Sequence, residues 1–132
     1  MLIIGAKGFA KEVLEILFQN QYQKEIAFYD DINSDTPNKL YNKYQILKTE
    51  DAVIGFFLKN GHEFTIGIGD PKLRRKLTDN FVKLGGVFTS IISEKTDLGH
   101  FNTSYKAGCV LASGVIITND VKIGRGVLIN LN

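Results

Sequence analysis

Three short stretches carry residue types able to hold a phosphorylated ligand. The first, Gly5-Ala6-Lys7-Gly8-Phe9-Ala10, follows the apolar run Leu2-Ile3-Ile4 and leads into Val13, Leu14, Ile16 and Leu17, which recur on one helical face. Glycines between a strand and a helix let backbone N–H groups and the helix N-terminus face an anion. The second stretch, Asp30-Asp31, closes the run Ile26-Ala27-Phe28-Tyr29 and offers carboxylates to a ribose or a base. The third, Gly67-Ile68-Gly69-Asp70, follows His62-Glu63-Phe64-Thr65-Ile66. Each also has a plainer reading, a tight turn for Gly5 and Gly8 and a solvated strand end for the acidic pair. Their conjunction favours a nucleotide.

The elements that must position these loops alternate strand with helix. Strands are expected at Leu2 to Ile4, Ile26 to Tyr29, Phe64 to Ile68 and Val87 to Ile92, with helices between them. Phe9 to Phe18 is the first helix. Thr49 caps a second that runs through Ala52-Val53-Ile54 to Leu58 and ends near Asn60-Gly61. Asp70 as cap and Pro71 at the first helical position open a third, with Leu73, Leu77, Phe81 and Leu84 inside and Gly85-Gly86 at its end. Asn33 to Tyr44 reads as a polar surface excursion. Such alternation predicts a parallel sheet with right-handed crossovers, and ligands of such sheets bind beyond the carboxyl ends of the strands, which puts all three loops on one edge. Lys72, Arg75 and Lys76 share a helix face and suit either a phosphate or solvent. A dinucleotide fingerprint fails at Lys7, which stands where the second glycine belongs, while Ala10 in place of the third is tolerated. That leaves an NAD-dependent oxidoreductase domain with little support.

Beyond about residue 90 the periodicity changes. Leu111, Ile117, Ile123 and Ile129 fall six apart, and Val115, Val121 and Val127 follow the first three at four positions. Six matches neither a helix nor one long strand, and it predicts short strands separated by corners, stacked as a solenoid. Thr118-Asn119-Asp120 and Gly124-Arg125-Gly126 fall at the corners. Residues 1–90 and 91–132 are therefore expected to be an α/β domain and the start of a coil.

Composition narrows the function. Hydrophobic residues make up 44% and charged residues 23%, and the net charge of +2 gives no field that would draw nucleic acid or a membrane surface. No apolar stretch is long enough for a bilayer, and Leu2-Ile3-Ile4 is too short for a signal peptide, so a cytoplasmic protein is expected. The lone Cys109 occupies a small-residue slot of the repeat, four after Tyr105, which predicts packing rather than nucleophilic chemistry.

Taken together, IIGAKGFAKEVLEIL, FYDD, IGIGDPKLRRKL and the terminal hexads resemble, in that order, the bacterial hexapeptide-repeat sugar O-/N-acyltransferases of the PglD-like and NeuD-like group. The resemblance implies a Rossmann-like N-terminal domain that binds a nucleotide-linked sugar, then a left-handed parallel β-helix that forms a homotrimer and binds acetyl-CoA between coils. It implies an acetyl group moved from acetyl-CoA to an amino or hydroxyl group of a sugar in surface glycan synthesis. By position it assigns Gly5, Ala6, Lys7, Gly8 and Phe9 to the phosphates and nearby sugar, Asp30 and Asp31 to the base or ribose, and Gly69 and Asp70 to the same cleft. A histidine acts as general base in that group, with no metal required, following the hexad that corresponds to Ile129-Asn130-Leu131-Asn132. The chain is accordingly expected to be truncated before its catalytic residue, His62 and His100 being poor substitutes. A sugar-nucleotide-binding module without catalysis remains the alternative.

Overall fold

Leu2–Ile4 forms β1, flanked by Ala27–Tyr29 (β2) on one side and Glu63–Ile66 (β5) on the other, all parallel, with Ile3 opposite both Phe28 and Thr65. The structure, a computed structural model, describes residues 1–33 and 37–130. Ser34, Asp35 and Thr36 of the expected excursion, and Leu131 and Asn132 of the last hexad, lie outside the described residues.

These three strands are central because both of their faces are covered. Helix α1 (Gly8–Gln19) puts Ala10, Val13, Leu14, Ile16 and Leu17 against Ile3 and Phe28. Helices α2 (Glu50–Asn60) and α3 (Pro71–Lys83) lie on the other face, where Val53, Phe57 and Phe81 meet Leu2, Ile4, Phe64 and Ile66. Phe28, Phe57 and Phe64 are among the largest wholly buried side chains, each contributing about 2–3 kcal/mol by transfer from water.

The excursion proves to be partly structured. Lys39–Leu40 (β3) turns back through Tyr41 and Asn42, both at positive φ, into Tyr44–Leu47 (β4), which pairs parallel with β2. Interleaved Lys, Asn and Gln hid these two short strands. The expected strand from Val87 to Ile92 is in fact two: Val87–Phe88 (β6) extends the sheet beside β5, while Ile91–Ile92 (β7) pairs with the repeat. The six-stranded order is β3-β4-β2-β1-β5-β6.

Helix starts follow their sequence signals. Thr49 Oγ1 accepts from Ala52 N at 3.1 Å and Asp70 Oδ1 from Leu73 N at 3.0 Å. Replacing Asp70 by alanine is expected to cost about 1 kcal/mol, read as a fall of roughly 3–5 °C in the thermal midpoint. An unchanged midpoint would show that the cap contributes nothing. The inner face of α3 departs from expectation: Leu73, Leu77 and Leu84 are half-buried, and the buried residues are Arg74, Thr78 and Phe81.

The repeat winds as a parallel β-helix. Its strands are Asp97–Leu98 (β8), Ser104–Tyr105 (β9), Val110–Leu111 (β10), Ile116–Ile117 (β11), Lys122–Ile123 (β12) and Leu128–Ile129 (β13). They stack as β7-β10-β13, β8-β11 and β9-β12. Val110 lies opposite Leu128 and Lys122 opposite Ser104, steps of 18 residues, but Ile91 lies opposite Val110 and Asp97 opposite Ile116, steps of 19. The extra residue is taken up between Leu98 and Ser104, where Asn102 adopts φ 53°. Leu111, Ile123 and Cys109 fill the coil interior, with Ile117, Val121, Val127 and Ile129 packed around them. Cys109 is wholly buried, its Sγ within 3.0 Å of the Gly124 carbonyl, as the packing role requires.

Contacts on both faces join coil and sheet. Ile91, Val110 and Leu128 pack on the α1 side of the core, and Asn20 at the end of α1 donates from Nδ2 to Ile92 O at 2.7 Å while its Oδ1 accepts from Glu94 N at 3.0 Å. On the other side Phe88 stacks on Phe64 at 5.3 Å and fills the space beside Gly108.

Candidate functional site

Strand order reverses at β1, whose chain neighbours in sequence lie on one side and β5 on the other. The loops after β1 and β5 therefore splay in opposite directions and open a crevice at the carboxyl edge. Gly5, at φ 109°, donates its N–H to Tyr29 O at 2.7 Å, and Gly67 donates to Ile4 O at 2.8 Å, which ties the two loops to β2 and β1. A Cβ at Gly5 would lie 2.9 Å from Gly67 O, and one at Gly67 would lie 2.8 Å from the Ala10 Cα. These two glycines serve close packing of strand, loop and helix.

Gly8 and Gly69 differ, since a Cβ at either would meet nothing within 4 Å. Both are exposed, beside exposed Lys7 and half-buried Phe9. Among the three helices, α1 starts at Lys7, whose side chain makes no capping bond, whereas α2 and α3 are capped by Thr49 and Asp70. The first-turn N–H groups of α1 are thus left to an outside acceptor, at the positive end of the helix dipole. Ala6 is buried and forms part of the α1-side core.

The acidic pair divides. Asp30 is buried, and its Oδ1 accepts from the N–H groups of Ile32 at 3.1 Å and Asn33 at 3.2 Å, its Oδ2 from Asn33 Nδ2 at 2.9 Å. It shapes its own loop. Asp31 is exposed, and with burial it pushes the Tyr29 phenol up to about 12, burial being the larger cause. Asp31 is the carboxylate of the pair that faces solvent. Asp70 Oδ1 caps α3, and Gly69 beside it is exposed.

The residue that sequence reasoning passed over is Arg74. Its Nη1 donates to Ile66 O at 3.1 Å and Ile68 O at 2.9 Å, and its Nη2 to Gly126 O at 3.1 Å. One guanidinium fastens the end of β5 to a corner of the coil, and burial lowers its pKa below the ordinary arginine value. Nothing in LysLeuArgArgLys distinguished it from its solvated neighbours Lys72, Arg75 and Lys76, all exposed.

His62 sits at the amino end of β5, opposite the crevice, with Nδ1 3.0 Å from Gly85 O. His100 is exposed in the irregular corner of the first coil. Among the described residues no three His, Cys, Asp or Glu gather to hold a metal, and no helix is long and apolar enough to cross a membrane.

Comparison with known proteins places this geometry. In fold the chain is similar to the acetyltransferase domain of PglB from Neisseria gonorrhoeae FA1090 in complex with acetyl coenzyme A, at 22% identity and a TM-score of 0.82, covering 98% of this chain and 60% of that one. It is similar to the H141N mutant of perosamine N-acetyltransferase from Caulobacter crescentus in complex with CoA and GDP-perosamine, at 23% identity and a TM-score of 0.82, covering 98% and 59%. PerB of Caulobacter crescentus, with CoA and GDP-perosamine, matches at 24% identity and a TM-score of 0.77, covering 98% and 58%. The chain thus spans about three-fifths of the length of these structures. No curated protein matches it. The family model of the PglD N-terminal domain matches residues 1–81, and the chain belongs to that family.

Proposed function

We propose that residues 1–132 are the sugar-nucleotide-binding part of an acetyl-CoA-dependent sugar acetyltransferase, with residues 1–90 as the binding domain and 91–132 as the start of the trimer-forming β-helix. The observation that carries this reading is the crevice itself. An uncapped helix start, Gly8 and Gly69 with no side chain to obstruct approach, and solvent-facing Asp31 lie at the carboxyl edge of a parallel sheet, on a chain that continues into a hexad coil. The fold relatives named above are recorded with CoA, acetyl-CoA or GDP-perosamine, which supports the same pair of ligands here.

In this reading the Gly5 to Phe9 turn receives the diphosphate, since N–H groups converging at a helix start stabilise an anion without a full positive charge. Lys7, exposed beside it, adds a flexible cation. Asp31 accepts from a ribose hydroxyl or a base N–H, whereas Asp30 holds the shape of the loop that presents it. Gly69 gives the sugar room to extend toward the coil. The acceptor amine or hydroxyl then loses its proton to a general base as it attacks the thioester carbonyl of acetyl-CoA, and coenzyme A leaves as the thiol. Neither His62 nor His100 is placed for that role. A cytoplasmic site of action and a surface-glycan product accompany this reading.

The test pairs calorimetric titration of UDP- and GDP-linked amino sugars with an assay for free coenzyme A thiol. Binding together with thiol release is expected of the complete enzyme. Binding by residues 1–132 without release selects the non-catalytic module for this segment. Failure of every nucleotide sugar to bind overturns the reading.

A further inference from the structure

A cavity of about 620 Å³ lies between α3 and the coil corner; no residue of the Gly5 to Phe9 turn lines it, whereas Gly69 does, with Arg74, Arg75, Asp79, Phe88 and Arg125. Three arginines and one aspartate line it. Arg74 is only 6% exposed, yet among the described residues no carboxylate forms an ion pair with it. Carbonyl dipoles from Ile66, Ile68 and Gly126 are its partners, and they engage three of its five N–H groups. A buried cation with dipoles alone around it is incompletely compensated. Arg125 is held at the mouth by Phe88, with Cζ 5.0 Å from the ring centroid, and Arg75 is exposed on the opposite wall. Asp79 is the single opposing charge.

We infer that this cavity is a phosphoryl-binding site, in which Arg75 and Arg125 grip the anion from two sides and Arg74 supplies the buried charge behind it. Arginine suits the task because its planar fork meets two phosphoryl oxygens at once. Its lining includes no residue of the Gly5 to Phe9 turn, and its phosphoryl chemistry does not require acetyl transfer. Nucleotide sugars and coenzyme A both carry phosphoryl groups, so each is a source the experiment must distinguish.

The experiment titrates inorganic phosphate, GDP and coenzyme A into the full chain at low ionic strength, then into Arg75→Ser, Arg125→Ser and Arg125→Lys. Arg75 and Arg125 are exposed, so both serine variants are expected to fold with an unchanged thermal midpoint. Each serine variant is expected to weaken at least one probe roughly tenfold or more and to flatten its salt dependence, with Arg125→Lys recovering part of the loss. Loss for GDP alone assigns the site to the nucleotide sugar, loss for coenzyme A alone to the acyl donor, and loss for all three to the shared phosphoryl chemistry. Equal affinity of every probe for parent and serine variants overturns the inference. A Gly8→Asp control separates the two readings: if it abolishes GDP binding while the arginine variants leave all probes untouched, the turn is the phosphate site and the cavity is not. If the arginine variants lose phosphate while no nucleotide sugar is acetylated, the cavity stands without the transferase.

Discussion

Replacing Gly108 by alanine is expected to lower the stability of the chain by about 3 kcal/mol. A Cβ there would lie 1.9 Å from Cε2 and 2.1 Å from Cζ of Phe88, a separation no relaxation of bond angles can absorb. The ring is 7% exposed and stacked on Phe64, so it cannot swing into solvent without breaking the contact between sheet and coil. Overpacking of this kind costs about 1–3 kcal/mol, and the φ of 78° at Gly108 adds about 1–2 kcal/mol for any residue with a side chain. Against a total stability of about 5–15 kcal/mol the loss is large. Urea denaturation of Gly108→Ala measures it, and a loss under about 1 kcal/mol would mean the ring has an alternative place. A double variant gives a sharper check. In the alanine background Phe88→Leu should cost less than it does alone, because it removes the obstruction.

Gly8→Asp is expected to separate stability from binding. No atom lies within 4 Å of the position a Cβ would occupy, and Gly8 is the first residue of α1, where a carboxylate interacts favourably with the helix dipole. The thermal midpoint should therefore hold or rise by a few degrees. A nucleotide diphosphate at the same turn would meet a like charge. At a separation of about 5 Å and an effective dielectric near 20, the repulsion is about 3 kcal/mol, or roughly a hundredfold in Kd. Calorimetry with a GDP-linked sugar and a melting curve on the same sample read both effects. Unchanged affinity would remove the turn from the binding site, and a collapsed midpoint would show that the loop was misjudged structurally.

The parts of the molecule legible from sequence are those where side-chain pattern and backbone need coincide. Leu2-Ile3-Ile4 is buried on both faces and so reads as an unbroken apolar run. Thr49 and the Asp70-Pro71 pair mark their helices because capping is a local matter. The hexads are legible for the same reason, since each coil repeats one inward aliphatic position, as Leu111 and Ile123 show.

What stayed hidden depends on distant partners. β4 is a four-residue strand one in from the sheet edge, whose pairing with β2 and β3 decides its conformation, and a run that short between Lys43 and Lys48 does not announce itself. Two residues, Thr89 and Ser90, separate β6 from β7, and without Gly or Pro there the change of sheet is invisible in the chain. Arg74 looks like a surface residue until the coil corner at Gly126 closes over it. The three candidate loops do converge on one edge, but the division of labour within them was not legible. Whether Asp30 turns inward to its own loop, or Gly67 serves packing rather than a ligand, depends on atoms contributed by other elements.

The amide of Asn20 has a consequence for how the coil comes into being. Its paired bonds to Ile92 O and Glu94 N imitate a peptide group, so the end of α1 stands in for a preceding rung beside the first coil. A bare first rung would be an open template for strands from other chains, and this surrogate blunts it. Rungs close over 18 or 19 residues, whereas the group beside the first of them lies at the end of a helix more than 70 residues earlier, so the start of the coil is anchored by a contact far longer in sequence than any within the coil.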